Sequence, residues 1–508
     1  MYDDASHVMG RRWPNLILTA ATACAACGGS SGGGPGVDAG RDACVGASCS
    51  DGGQSEGACG AVQWPRPAGC AATDVEGKLR CVAGITVTPR PDVNVPGYQR
   101  FDLVVTQPLD HDNPGIGTFE QRVALLHASD AAPVVLFVNG YGLPSEIRLS
   151  ELSRLFAANQ IYYEHRFFAR SRPVPTDWSK LDIRQAELDA HHIAEVLRWL
   201  YPGRWVNTGG SKGGVTSVIH RRFHPCDVDA TVAYVAPVSV SAADPAYTPF
   251  LQQVGGSSRA ACRDAITAFQ RRLLERRNDI LPLVQGSFTV LGADQAFELT
   301  TLELSFTFWQ YTNPDDPELG CSAIPIPSDA ASPADLLAFL EAHGSVNASQ
   351  GDATIDYYHA YFHQSAAQLG YPEAYEAPLA DLLRFPGADV PETYLPAGEV
   401  TMFDPSAMAD VADWVKNQGE QMMFIYGALD PWSARPFTPS SKDSHTFIVA
   451  GGNHGSNVSQ LSAADRSTAL AARALARCAG PVRVARGARL HRTPGRPRGS
   501  RRCCAAAR

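Results

Sequence analysis

Gly209-Gly210-Ser211-Lys212-Gly213 fits the pattern G-x-S-x-G, and its surroundings give the serine chemical meaning. The residues before it, "RWVNT", read as a strand, and those after it read as a helix. A serine on the tight turn between strand and helix sits on strained backbone, so the flanking positions need glycine where a Cβ would clash. The turn lifts the hydroxyl to the helix N-terminus, where the next backbone N–H, that of Lys212, can help stabilise an oxyanion. The side chain of Lys212 is expected to point outward or to repel cationic substrates, with no role beyond its backbone.

A serine hydroxyl is a poor nucleophile without a base, and the base needs an acid to orient it. Asp430 lies in "GALDPW", directly after the apolar run "MMFIYG", and His454 lies in "GGNHGS", directly after "TFIVAGG". The order Ser211, Asp430, His454 is the one that a nucleophile elbow of this kind requires. Each sits at the C-terminal end of a predicted strand, where ligands bind in parallel sheets. Their separation of 24 residues fits one strand-helix-strand step. A second oxyanion donor is expected from the loop "FVNGYG", which places Asn139 and Tyr141 beside the serine.

The elements that must position these residues follow from periodicity. "RFDLVVTQPLDH" and "TFEQRVALLHA" read as an early antiparallel pair. "PVVLFVNGYG", "QIYYEHRF", "RWVNTGG" and "VDATVAYVAPVS" read as buried strands, and "DIRQAELDAHHIAEVLRWLYPG" has helical spacing. Apolar strands alternating with helices imply a mostly parallel sheet covered on both faces. With the elbow, this predicts an α/β-hydrolase fold, with residues 61–240 as its first part and 401–480 as its second. Residues 241–400 become helical and aromatic-rich, as in "QAFELTTLELSFTFWQYT", which predicts an inserted helical cap.

Composition bounds the rest. The chain has 508 residues, 44% hydrophobic and 19% charged, ordinary for a globular enzyme with an insertion. Its net charge is -9 even though residues 481–508 carry nine Arg and no Asp or Glu, so the main body is more acidic still. That argues against general nucleic-acid binding and marks 481–508 as a basic, disordered appendage. Arg11 and Arg12 followed by the apolar "LILTAATACAA" read as an export signal over residues 1–27, too short to span a bilayer. "ACAACGGSS" resembles a lipobox, with Cys27 favoured over Cys24 as a lipidated mature N-terminus, giving a cell-envelope lipoprotein or a secreted protein. Residues 28–60, rich in Gly and Ser, read as a flexible spacer. The thirteen cysteines suit an oxidising compartment, with Cys70 and Cys81 a candidate local bridge. They lack regular Cys/His ligand spacing, so neither a metal nor an organic cofactor is expected.

"NTGGSKGGVT", "YYEHRFFARSRP", "FTFWQY", "YGALDPWSA" and "GGNHGS", taken together and in this order, resemble the secreted bacterial (prolyl) tripeptidyl aminopeptidase family, related to the lysosomal Pro-Xaa carboxypeptidase group. The resemblance spans about residues 60–480. It implies a serine peptidase that releases tripeptides from free N-termini, often with proline beside the cut, and it assigns Ser211, Asp430 and His454 to the triad. It also implies that Trp432 walls a proline pocket, since an indole face packs well on a pyrrolidine ring. Glu164, His165 and Arg166 are expected to form an ion-paired structural network near the site. One departure matters: relatives often carry an acid where this chain has Asn139, so another carboxylate, from the cap, would have to meet the substrate amine. An esterase or lipase on the same scaffold is the alternative enzyme, and a non-catalytic surface lipoprotein is the alternative of another class.

Overall fold

The computed structural model describes residue 64 and residues 66–325, 331–399 and 401–472. The export segment with Cys24 and Cys27, the 28–60 spacer and the 481–508 tail lie outside the described residues.

Among the described residues nine strands form one sheet: β1 (Ile85–Pro89), β2 (Gln99–Pro108), β3 (Thr118–His127), β4 (Val134–Val138), β5 (Asn159–Tyr163), β6 (Trp205–Gly210), β7 (Ala230–Tyr234), β8 (Met422–Gly427) and β9 (His445–Val449). Their order is β1-β2-β3-β5-β4-β6-β7-β8-β9. The first three strands are antiparallel, and β3 is also antiparallel to β5. From β5 through β4 to β9 every pair is parallel. The residue types explain the division. β2 alternates buried and more exposed positions, whereas every residue of β8 is buried, as a strand covered by helices on both faces must be. The chain moves outward from β4 to β5 and then returns past β4 to β6. The crevice between the C-terminal ends of β4 and β6 is thus the switch point of the sheet, the place where such folds bind ligands. This is the mostly parallel sheet of an α/β-hydrolase.

Helices α1 (Ile183–Arg198) and α2 (Lys212–Phe223) flank β6 in sequence. Asp182 caps α1 by accepting from the Gln185 N–H at 2.7 Å. Between β7 and β8 lies the helical insertion, which includes α3 (Ala260–Glu275), α4 (Ala293–Tyr311), α5 (Pro333–His343), α6 (Val346–Gln350) and α7 (Asp352–Gln364). α5 begins with a complete capping box, Ser332 with Asp335. α4 is buried along nearly its whole length, on all faces, because other helices of the insertion surround it. The apolar core of the insertion is continuous with the sheet's upper edge: Phe297, Phe308, Phe269 and Leu336 belong to one cluster with Tyr141, Phe168 and Trp432.

Two disulfide bridges have both partners among the described residues. Cys70 and Cys81 are joined, as their proximity in sequence suggested, and Cys262 and Cys321 tie α3 to the segment after α4. Other features depart from the sequence reading. β1 and a short helix, Val75–Arg80, were not anticipated, because "ITVTP" is short and ends in proline. The step from β8 to β9 contains no α-helix; a 3-10 turn, Pro431–Ala434, makes the crossover instead. The proline after Asp430 starts that turn, and the Asp430 side chain caps it by accepting from the Trp432 N–H.

The Cys262–Cys321 bridge closes a span of 59 residues and the Cys70–Cys81 bridge one of 11. Chain entropy then assigns about 4 kcal/mol to the first and about 3 kcal/mol to the second. The double variant Cys262→Ser/Cys321→Ser is expected to lower the denaturation midpoint more than Cys70→Ser/Cys81→Ser does, read by urea titration without reductant.

Candidate active site

Ser211 has φ 53° and ψ -130°, a conformation that only a tightly held turn imposes on a non-glycine residue. The glycines around it are demanded by contact. A Cβ on Gly209 or on Gly213 would collide with the carbonyl oxygen of Val138, the last residue of β4, and one on Gly140 would come within 2.7 Å of the Gly213 nitrogen. The Ser211 N–H donates to the Tyr234 carbonyl at 2.9 Å, and its own carbonyl accepts from Val215 at 3.0 Å as α2 begins. The serine is thereby fixed between β6, β7 and α2. The N–H groups of Lys212 and Tyr141 donate to no acceptor among the described residues, and both residues line the same pocket as Ser211. Two free backbone donors beside a serine hydroxyl can receive a developing oxyanion.

Asp430 and His454 meet at the ends of β8 and β9. His454 Nδ1 lies 2.8 Å from Asp430 Oδ2, and both side chains are buried. The other carboxylate oxygen, Asp430 Oδ1, accepts from the Trp432 N–H at 3.2 Å. With Nδ1 engaged, the tautomer that donates there leaves Nε2 as the basic atom. Among the described residues no hydrogen bond joins Ser211 to His454. The histidine loop is held from the insertion: the His454 N–H donates to the Gln310 carbonyl at 3.0 Å, and Asn453 Nδ2 donates to the Tyr311 carbonyl at 3.1 Å. These carbonyls belong to the last turn of α4, which has none of its own N–H groups left to satisfy them.

The side chain of Lys212 overturns the outward expectation. It is 4% exposed, its Nζ donates to the Gly140 carbonyl at 2.7 Å, and it lies 5.5 and 5.3 Å from the ring centres of Tyr141 and Phe168. Burial pushes its pKa well below the ordinary lysine value. It therefore ties the elbow to the loop after β4. A helical position at N1 with two glycines behind it gave no sign of inward orientation; the aromatic partners that receive the lysine are remote in sequence. Asn139 is likewise used internally, since its Nδ2 donates to the Gly142 carbonyl and closes the turn on which Tyr141 sits.

The Glu164-His165-Arg166 segment forms a buried network, with partners the sequence did not reveal. Arg166 makes a two-pronged pair with Asp189 of α1, at 2.7 and 2.6 Å. Glu164 pairs with no cation in these bonds; it accepts from the Leu143 N–H at 2.8 Å and from the Ser171 N–H and hydroxyl at 2.8 and 2.9 Å. Burial raises its pKa. His165 donates its own N–H to the Tyr141 carbonyl at 2.9 Å, and burial followed by the charge of Lys212 lowers its imidazole pKa well below the usual value. The network thus clamps both ends of the loop that carries Tyr141.

Trp432 is 6% exposed and edge-on to Phe306 at 5.1 Å and to Tyr247 at 5.7 Å. Its indole Nε1 has no hydrogen-bond partner among the described residues. With Tyr141, Tyr361, Val215, Leu369 and Pro237 it forms the apolar wall of the pocket that opens on Ser211. Such a wall accepts a small apolar ring or side chain beside the reacting carbonyl. Away from this site, His191, His224 and Asp227 place three donor atoms within 4.8 Å of one another. They come from α1 and from the segment that follows α2, so regular ligand spacing could not have disclosed them. Asp227 there accepts from His191 and His220 at 2.8 and 2.9 Å.

The family model described as PS-10 peptidase S37 matches residues 68–497. The chain is 40% identical over 390 residues to a prolyl tri/tetrapeptidyl aminopeptidase of Streptomyces mobaraensis, covering 74% of this chain and 79% of that protein. Among solved structures, proline iminopeptidase of Mycobacterium smegmatis is 14% identical with a TM-score of 0.34, over 77% of this chain and 98% of that one. Potato (Solanum tuberosum) epoxide hydrolase I is 17% identical with a TM-score of 0.30, over 74% and 94%.

Replacing Lys212 by Met tests its cross-tie. The loop bearing the Tyr141 N–H loses its anchor, and kcat is expected to fall about 10- to 100-fold, less than or equal to the loss of an oxyanion donor itself. The stability profile should change too. The native protein gives up the Lys212 proton before the unfolded chain does, so this residue makes stability climb with pH between its lowered pKa and the ordinary lysine value. Lys212→Met is expected to flatten that climb in denaturant titrations run across alkaline pH.

Proposed function

The chain belongs to the PS-10 peptidase S37 family and is a serine peptidase, and we propose that it removes tripeptides from free N-termini with proline at the cleaved bond. The observation that carries the reading is the apolar, aromatic-walled pocket beside Ser211, with Trp432 and Tyr361 as flat surfaces for a pyrrolidine ring. The name of the Streptomyces mobaraensis relative points the same way. Ser211 attacks the scissile carbonyl while His454 Nε2 takes the hydroxyl proton. Asp430 holds His454 through Nδ1 and stabilises the imidazolium. The N–H groups of Lys212 and Tyr141 receive the oxyanion. Collapse of the tetrahedral intermediate returns the proton to the leaving amine and leaves the acyl on Ser211; water, deprotonated by His454, then releases the peptide.

The same proposal includes export and attachment to a membrane surface by a lipid on Cys27, on the strength of the "ACAACGGSS" segment. A Cys27→Ser variant expressed with its leader would then move from the membrane to the soluble fraction.

The activity is tested with chromogenic amides of Ala-Ala-Pro and Ala-Pro and a short-chain acyl ester, using wild type and Ser211→Ala. Cleavage of the tripeptide amide is expected to dominate and to fall about 10⁴-fold or more in Ser211→Ala. Turnover of the ester without any amide would overturn the peptidase reading for this site.

A further inference from the structure

Away from the serine, α1 and the end of α2 bring together three side chains able to bind a metal ion. One ligand atom from each of His191, His224 and Asp227 lies within 4.8 Å of the other two. His191 sits on α1, His224 directly follows α2, and Asp227 comes three residues later. The two imidazole rings stack at 3.9 Å and only 12° from parallel, so their nitrogens lie side by side. No cysteine is among the donors, which is why cysteine spacing gave no sign of the cluster.

The far side of each donor faces a further polar group. Glu187, His191 and Glu195 are spaced by four residues and share one stripe of α1. Glu195 lies 3.6 Å from His191 Nε2, and Glu187, which is buried, pairs with His224 Nε2. Asp227 Oδ2 accepts from His220 Nε2 at 2.9 Å. Asn207 fixes that direction: its amide Nδ2 can only donate to His220 Nδ1, at 3.2 Å, so the ring proton sits on Nε2. A carboxylate behind each histidine and a donor behind the carboxylate are the partners that orient metal ligands. Hydrogen bonding alone accounts less well for Glu187. Its Oε2 and His224 Nε2 are buried and in contact, yet neither makes a hydrogen bond among the described residues. A turn of the His224 ring that draws Nδ1 to an ion also lets Nε2–H line up with Glu187.

We propose that His191 Nδ1, His224 Nδ1 and a carboxylate oxygen of Asp227 bind one divalent transition-metal ion, zinc above all. Two imidazoles and a carboxylate are a donor set that zinc takes, and water fills the fourth, solvent-facing position. Bonds of about 2.0–2.1 Å place tetrahedral donors about 3.3 Å apart. His191 Nδ1 and Asp227 Oδ2 already stand at 2.8 Å, so they open by only a few tenths of an ångström. His191 lies between Asp227 and Glu195. On binding, its Nδ1 proton gives way to the ion and passes to solvent, while the Nε2 proton stays with Glu195. The side chains of His191 and His224 are 27% and 19% exposed, so the ion reaches them from solvent. α2 starts at the elbow and runs about 18 Å at 1.5 Å per residue, so the ion touches no reacting atom. It pins the far end of the elbow helix to α1, the helix whose Asp189 holds Arg166. The site goes beyond the peptidase reading and does not depend on it.

The test measures binding directly. Chelator-treated full-length wild type, His224→Ala and Glu187→Gln are dialysed against buffered Zn²⁺ at neutral pH, and retained zinc is compared with protein. The expected result is one Zn²⁺ per wild-type chain at about 1 µM free zinc, with affinity weakened about 100-fold or more in His224→Ala and about 10- to 100-fold in Glu187→Gln. Zinc is also expected to raise the thermal midpoint of wild type and not that of His224→Ala. No uptake by wild type, or uptake that His224→Ala retains unchanged, overturns the proposal. If the variants do not fold, acylation of wild-type histidines by diethyl pyrocarbonate, read by mass spectrometry, decides. Zinc that shields His191 and His224 together supports the site; shielding of neither, or of one alone, overturns it.

Discussion

One backbone approach governs the site: the Val138 carbonyl at the end of β4 lies against the elbow glycines Gly209 and Gly213, leaving no room for a Cβ on either. That contact brings the loop after β4 to the start of α2. It sets the proposed nucleophile and the two free N–H groups of Tyr141 and Lys212 around one pocket. The strain in Ser211 persists because hydrogen bonds on both sides over-determine it. A buried lysine completes the lock. Taking an ammonium out of water costs several kcal/mol, and here the Gly140 carbonyl and two aromatic faces offset part of it.

The elements that carry Ser211, Asp430 and His454 were more legible in the sequence than the supports behind them. Each of the three residues follows an apolar strand, and their order is a local pattern that one chain can display. The fold class followed for the same reason, since parallel strands announce themselves as unbroken apolar runs. What escaped notice depends on distance in sequence. Arg166 finds Asp189 twenty-three residues away, and Lys212 finds Gly140 seventy-two residues away. Neither partner carries a motif. The β8–β9 crossover failed differently: a spacing suited to a helix holds only a 3-10 turn, because Asp430 must cap it and pass straight on to Trp432.

The insertion is a structural part of the site and not a lid laid over it. Its core runs without interruption into Tyr141, Phe168 and Trp432, and the last turn of α4 supplies the carbonyls that hold Asn453 and His454. The sheet presents Ser211 and Asp430, and the insertion fixes where His454 sits, so any movement of α4 is felt at the histidine loop.

The order in which these parts leave the ribosome has a consequence of its own. Ser211 emerges first, α4 next, and Asp430 and His454 only with the last two strands of the sheet. Domains form as units during synthesis, N-terminal parts first. A nascent chain, or one truncated anywhere before β9, thus holds the proposed nucleophile without the proposed base. On the proposed mechanism, a half-built copy of this peptidase has no activated serine.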